Sequence, residues 1–324
     1  MINAVSDRDF PIINVNNNFI VKVPARLTLL EANAFGCFCC ELIDRIDANS
    51  TLVLDLSGTT FIDSSGVGVL IKIYKAASSY SRRLVLKQPK PCVVKVLEIS
   101  GLTEIFQLRP TAKPFNRKQL FAHPSVESLL KRVIDIVGAL IGLTITAIVL
   151  IPIATAIKLE SPGPIFFSQT RCGWMGGKFK MWKFRSMCAD AEARKKEVVN
   201  QASGAFFKND LDPRVTKVGK FLRRTSLDEL PQFWNVLRGE MSLVGTRPPT
   251  PEEADLYQIH AWQRLNVKPG MTGEWQVNGR SQIRDFEDVV KLDMRYQKNW
   301  NCLYDLKIIL KTILIVFNRD NGAF

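Results

Sequence analysis

Thr225-Ser226-Leu227-Asp228-Glu229-Leu230-Pro231-Gln232 sets two adjacent carboxylates among basic residues. An ionised carboxylate can bind Mg2+ or attack phosphorus. Opposite charge or a helix start keeps it ionised. Ser226 with Glu229 three positions later also fits a capping box, an ordinary structural use for that glutamate. Capping leaves Asp228 and its surroundings without a purpose. Those surroundings are Lys183 and Arg185 in KMWKFRSM, Arg223 and Arg224 in FLRRTSLDEL, Arg247 and Pro248 in SLVGTRPP, and Arg280 in WQVNGRS. The planar fork of arginine suits phosphate. Any one of these residues alone is more often a surface charge. Glycine and proline beside several of them imply fixed loops.

The elements that must hold these residues divide the chain. Its 324 residues predict about two domains. The net charge of +13 lies mostly after residue 110 and attracts nucleic acid, anionic lipid or phosphorylated substrates. A nucleic-acid role is excluded: there is no reading helix or stacking motif, and a long apolar segment is present. The seven cysteines are odd in number and scattered, which argues against a disulfide framework or a zinc site. They read as small buried hydrophobes in a reducing compartment. MINAVSDRDF lacks the basic-then-apolar pattern of a secretory signal. Residues 10–110 alternate strand and helix: strands over 18–23, 51–56 and 83–87, helices over 27–45, 66–78 and 93–99. That predicts an α/β domain with a mixed sheet and helices. Residues 111–125 read as a Pro-punctuated linker, and 126–324 as a second, mainly helical domain.

Ile136 to Ile157 is uncharged and long enough to cross a hydrocarbon core. Lys131 and Arg132 precede it, and Lys158, Arg171, Lys178, Lys180 and Lys183 follow. Both flanks look cytoplasmic, which a single crossing cannot satisfy. Pro152 inside the run removes a helix hydrogen bond. The expectation is a broken, re-entrant helix over about 133–157, entering and leaving on one face. Leu303 to Phe317 predicts a basic amphipathic helix of the interfacial kind.

The segments KRVIDIVGALIGLTITAIVLIPI, KLESPGPIFFSQTRCGWMGGKFKMWKFRSM, DPRVTKVGKFLRRTSLDELPQFWNVLRGEMSLVGTRPP and KPGMTGEWQVNGRSQIRDFEDVVKLDMRYQKNWNCLYDLKIILKT cover almost all of the second domain. Together they resemble the monotopic phosphoglycosyl transferases, or bacterial sugar transferases. The resemblance implies a two-step reaction at the cytoplasmic face of the bacterial inner membrane, with both domains on that face. Asp228 attacks the β-phosphate of a UDP-sugar, UMP leaves, and polyprenyl (undecaprenyl) phosphate takes the phosphosugar as the first membrane step of a surface glycan. Mg2+ is bound by Asp228, and Glu229 assists the acceptor. Arg223, Arg247 with Pro248, and Arg280 match positions near the diphosphate; Lys183 and Arg185 match basic positions before the dyad. Ile151-Pro152 departs from the family's Ser-Pro at the helix break, and Thr246-Arg247-Pro248 from its Pro-Arg-Pro. Glu274 stands where an apolar residue is common. The alternative is a catalytically silent membrane scaffold.

LDLSGTTFIDSSGVGVLIKIYKAA resembles the STAS domain. The resemblance places Ser65 at the position phosphorylated in anti-sigma antagonists. A phosphate there meets the orphan N–H groups of a helix start. Alternatively Ser64 or Ser65 only caps the helix. Homodimer formation and ligand sensing through this domain are equally open.

Overall fold

The computed structural model describes the chain apart from residues 1–2, 6–9, 16, 48–49, 109–121, scattered positions from 192 to 211, 280–282, 284 and 318–324. Most of the expected linker lies outside the described residues. Two compact units result.

The first unit holds β1 (Asn3–Val5), β2 (Ile12–Val15), β3 (Asn18–Lys22), β4 (Arg26–Leu27), α1 (Leu29–Arg45), β5 (Thr51–Asp55), β6 (Phe61–Ile62), α2 (Ser64–Ser79), β7 (Arg83–Lys87) and α3 (Pro91–Ile99). Its main sheet runs β1-β2-β3-β5-β7. β1, β2 and β3 are antiparallel; β3, β5 and β7 are parallel. The expected mixed sheet is therefore present, extended by β1 and β2. The alternation in TLVLD buries Leu52 and Leu54 on one face. α1 buries Ala32, Phe35, Gly36, Cys39, Leu42 and Ile43, the stripe of a helix with one core-facing side. Thr28 and Glu31 close a capping box at its start. All seven cysteines are free, but Cys39 and Cys172 alone are buried and Cys37 is exposed, so burial explains only part of that set.

Two later segments, Trp174–Gly177 and Tyr257–Asn266, belong to this unit. The start of α2 packs on the second of them. A Cβ on Gly68 would come 2.6 Å from the Trp262 ring, so only glycine allows this approach. The cap of α2 is Asp63, whose carboxylate accepts from the Gly66 N–H at 2.9 Å. Ser64 donates its N–H to Asn266 Oδ1 at 3.1 Å, and its hydroxyl meets the Trp262 carbonyl and Asn266 Oδ1. Neither serine is the cap, contrary to the capping alternative. Ser65 is 0% exposed and its hydroxyl has no partner among the described residues. Modification of Ser65 therefore requires the start of α2 to open.

The second unit contains α4 (Pro124–Glu127), α5 (Leu129–Glu160), β8 (Phe166–Cys172), β9 (Lys178–Phe184), α6 (Lys217–Arg224), α7 (Gln232–Arg238), β10 (Ser242–Val244), α8 (Pro251–Asp255), β11 (Gly270–Thr272), α9 (Glu274–Val277), α10 (Phe286–Asn299) and α11 (Cys302–Phe317). It is mainly helical, with an antiparallel β8–β9 hairpin and a parallel β10–β11 pair. α5 is continuous for 32 residues and runs through Pro152. Pro152 removes one hydrogen bond there, and packing on both sides of it keeps the flanking turns helical. At about 1.5 Å per residue the helix is roughly 48 Å long.

One stripe of α5 packs along its whole length. Lys131, Asp135, Ala139, Gly142, Thr146, Ile153 and Ile157 are buried. Lys131 Nζ donates to Asp305 Oδ2 at 2.6 Å and to the Val244 carbonyl at 2.9 Å. Asp135 accepts from the Ser242 hydroxyl and the Leu243 N–H. A Cβ on Gly142 would lie 2.3 Å from the Phe233 ring. The opposite side exposes Leu129, Leu130, Val133, Val137, Leu140, Ile141, Ile145, Ile148 and Ile151. α11 behaves alike: Asp305 and Ile308 face inward, while Leu303, Leu306, Leu310, Ile313 and Leu314 are exposed.

Candidate active site

Asp228 is held by the apolar residues on either side of it. Leu227 and Leu230 pack against a core of Ile153, Ile157, Phe184 and Leu222. This core joins α5, β9 and α6, so the Asp-Glu pair is fixed by the C-terminal half of the apolar helix. Leu227–Glu229 forms a single 3-10 turn. Ser226 before it is left-handed, with φ 55°, and makes no side-chain cap. A non-glycine residue in that region costs conformational energy and points to a turn fixed by its surroundings. The alternative of a capping box is therefore not formed, and Glu229 is available for another use.

That use is Lys183. Its Nζ lies 2.9 Å from Glu229 Oε1 and 3.8 Å from Asp228 Oδ2. Asp228 is 5% exposed. Arg223 closes the cluster from α6. Burial lowers the pKa of its guanidinium below the ordinary value, while the carboxylates of Asp228, Asp212 and Glu229 oppose that shift. Its Nε donates to the Ser186 hydroxyl at 3.0 Å. Asp212 is itself buried and paired with Arg214 at 2.6 Å. Lys183, Arg223, Asp228 and Glu229 thus lie in one cluster. Two cations beside two carboxylates make a site that can receive further negative charge.

Other expected site residues are placed differently. Arg185 is a correction. It is buried, and its guanidinium donates to the Pro162 and Ser161 carbonyls at 3.0 and 2.6 Å and to the Ser161 hydroxyl at 2.9 Å. It satisfies the orphan acceptors that follow α5, a structural duty in place of phosphate binding. Arg247 is held by Glu253, with Nη1 3.0 Å from Oε2. Arg171 approaches the same carboxylate at 3.6 Å and donates to the Pro248 carbonyl at 2.9 Å. Burial acts to raise the Glu253 pKa, but Arg247, Arg171 and the Thr250 N–H outweigh it and hold the carboxyl at about 2. The loop carrying Arg247 and Pro248 is therefore rigid. Arg280 lies outside the described residues. Pro152 sits inside α5, as described above.

Several residues of the site escaped the sequence reading: Ser186, Asp212, Glu253 and Glu160. The Glu160 carboxylate accepts from the N–H groups of Lys217 and Val218 at 2.6 and 2.9 Å. It ties the last residue of α5 to the first turn of α6, where a negative charge is favoured. No local pattern marks it, because its partners are 57 and 58 positions away. Glu274 gains an account: buried, it accepts from the Tyr304 hydroxyl at 2.6 Å. Burial and that bond push the tyrosine up to about 12.

Among the described residues no group of three or more metal-ligating side chains occurs. Mg2+ is commonly bound by one or two carboxylates, with water and substrate phosphate completing its shell. The oxygens of Asp228 and Glu229 fit that requirement.

The bacterial sugar transferase family matches residues 126–319, and the STAS domain family matches residues 11–113. Similar proteins include galactosyl transferase CpsE of Streptococcus agalactiae serotype III, 52% identical over 58% of this chain and 42% of its own. The UDP-glucose:undecaprenyl-phosphate glucose-1-phosphate transferase of Escherichia coli K12 is 46% identical over 58% of this chain and 40% of its own. The exopolysaccharide production protein ExoY of Rhizobium meliloti is 37% identical over 58% of this chain and 85% of its own. The match thus spans less than half the length of the first two relatives and most of the third. The chain belongs to the bacterial sugar transferase family and carries a STAS domain in front of its transferase domain.

Proposed function

We propose that the protein transfers a sugar 1-phosphate from a UDP-sugar to undecaprenyl phosphate. The observation that carries this reading is the buried Asp228 in a strained turn, with Lys183 and Arg223 beside it. The names of the relatives support the substrate classes: one acts between UDP-glucose and undecaprenyl phosphate.

The carboxylate of Asp228 attacks the β-phosphorus of the donor. The bond between that phosphorus and the bridging oxygen breaks, and the oxygen leaves with UMP. Asp228 then carries the phosphosugar as an acyl phosphate. A phosphate oxygen of the lipid attacks the same phosphorus, forms the diphosphate, and returns the carboxylate. Two steps let a water-soluble donor and a membrane acceptor use one site in turn. Lys183 and Arg223 supply positive charge where negative charge gathers on the transferring group. Mg2+ on Asp228 and Glu229 would neutralise part of the diphosphate charge. Glu229, paired with Lys183, would position the acceptor.

α5 and α11 hold this site against the bilayer. α5 is long and apolar, with only 22% of its most apolar window buried. Its packed stripe carries Lys131 and Asp135 near one end and meets Arg185 and Glu160 near the other. Buried polar partners near both ends of the helix favour an orientation on one membrane face over a straight crossing.

UMP release by the full chain in nanodiscs, with Mg2+, undecaprenyl phosphate and either UDP-glucose or UDP-galactose, tests the reaction. Asp228→Asn should abolish release. Near-native turnover by that variant would remove the covalent mechanism.

A further inference from the structure

Ser186 sits just beyond β9, is buried, and serves two partners with two different atoms. Its backbone carbonyl accepts from the Thr216 N–H at 3.2 Å, at the start of α6. α6 comes so close there that a Cβ on Gly219 would lie 1.9 Å from that same carbonyl oxygen. Its hydroxyl accepts from Arg223 Nε at 3.0 Å, one helical turn further on. Among the described residues that is the side-chain hydrogen bond which Arg223 makes. The backbone contact fixes where α6 lies, and the hydroxyl contact fixes how one arginine on it is turned.

An arginine held at Nε cannot rotate its plane freely, and its two terminal nitrogens then form a preset fork. Such a fork matches two oxygens of a phosphate at once. Arg223 feels the charges of Asp228, Asp212 and Glu229, so a preset fork there is set beside the carboxylate at which the diphosphate would react. We infer that Ser186 is a positioning residue for the transfer, its hydroxyl locking the Arg223 guanidinium in the plane that receives the donor diphosphate. The inference rests on the proposed reaction for its substrate.

Ser186→Ala separates the two roles, because it removes the hydroxyl and keeps the carbonyl that seats α6. The full chain in nanodiscs is compared with Ser186→Ala, Arg223→Lys and the double variant, using UDP binding by calorimetry and UMP release. Ser186→Ala should weaken UDP binding and raise the KM for UDP-sugar on the order of tenfold, the scale of a lost orientation. The KM for undecaprenyl phosphate and the melting temperature should stay near those of the parent. In the Arg223→Lys background, which lacks Nε and the fork, Ser186→Ala should add no further loss. UDP affinity unchanged in Ser186→Ala overturns the inference. So do losses that multiply in the double variant, because the hydroxyl then acts through something other than Arg223. If the parent binds UDP but releases no UMP, the proposed reaction fails, while the binding comparison still decides the role of Ser186.

Discussion

Charge placement at single residues separates those that gather at the Asp-Glu pair from those that hold the loops. Lys183 bridges Glu229 and Asp228, whereas Arg185, two positions on, is consumed by carbonyls at the end of α5. Alternation along β9 does not separate them; the neighbouring helix end does. Glu253 shows the same economy, one carboxylate holding Arg247 while Arg171 braces it. Its pH consequence follows from linkage. The folded carboxyl titrates at about 2, below the ordinary 4.5, so the folded state binds its proton less readily than the unfolded chain. The stabilisation is complete above the ordinary value and is lost as the pH falls from there toward 2. Comparing melting temperatures of the parent and Glu253→Gln between pH 6 and pH 3 should show a gap that narrows on acidification. A constant gap would place the effect of the substitution in packing alone.

Elements are joined by a few buried polar contacts at the ends of α5. At its start, Lys131 meets Asp305, which also accepts from the Tyr296 hydroxyl at 2.8 Å and Trp300 Nε1 at 3.1 Å. This network joins α5, α10 and α11. At its end, Arg185 and Glu160 join β9 and α6 to the helix. A buried pair costs more to break on one side than to replace on both. Lys131→Met alone should therefore destabilise the protein by about 3 kcal/mol or more. Lys131→Met with Asp305→Leu should recover a large part of that loss. Thermal unfolding in one detergent compares the two. Equal destabilisation would mean that the Tyr296 and Trp300 contacts, not the ion pair, carry the joint.

Over the whole molecule the bilayer and the first unit set different constraints. The exposed leucines and isoleucines of α5 and α11 form apolar surface well beyond what a soluble domain leaves uncovered. On the proposed one-face orientation, cysteines introduced at Leu129 and at Leu159, both strongly exposed, should react with an impermeant reagent from the cytoplasmic side only. Labelling of one end from outside would establish a crossing. In the first unit, Trp262 against Gly68 and Asn266 against Ser64 make residues 257–266 part of the packing around α2.

The sequence by itself determined the α/β character of the first unit, the apolar helix, and the residue types gathered around the Asp-Glu pair. These follow from periodicity, from the absence of charge, and from residue types matched to phosphate, all of which are local or set by a family pattern. Tertiary structure decided the rest. It ran α5 through Pro152, because neighbours pack on the helix along its length. It buried Ser64 against a segment about 200 positions away. It turned Arg185 to helix carbonyls, and it gave Arg223 its anchor in Ser186 across 37 positions. Each depends on which backbone atom arrives beside a side chain, and spacing along the chain does not encode that arrival.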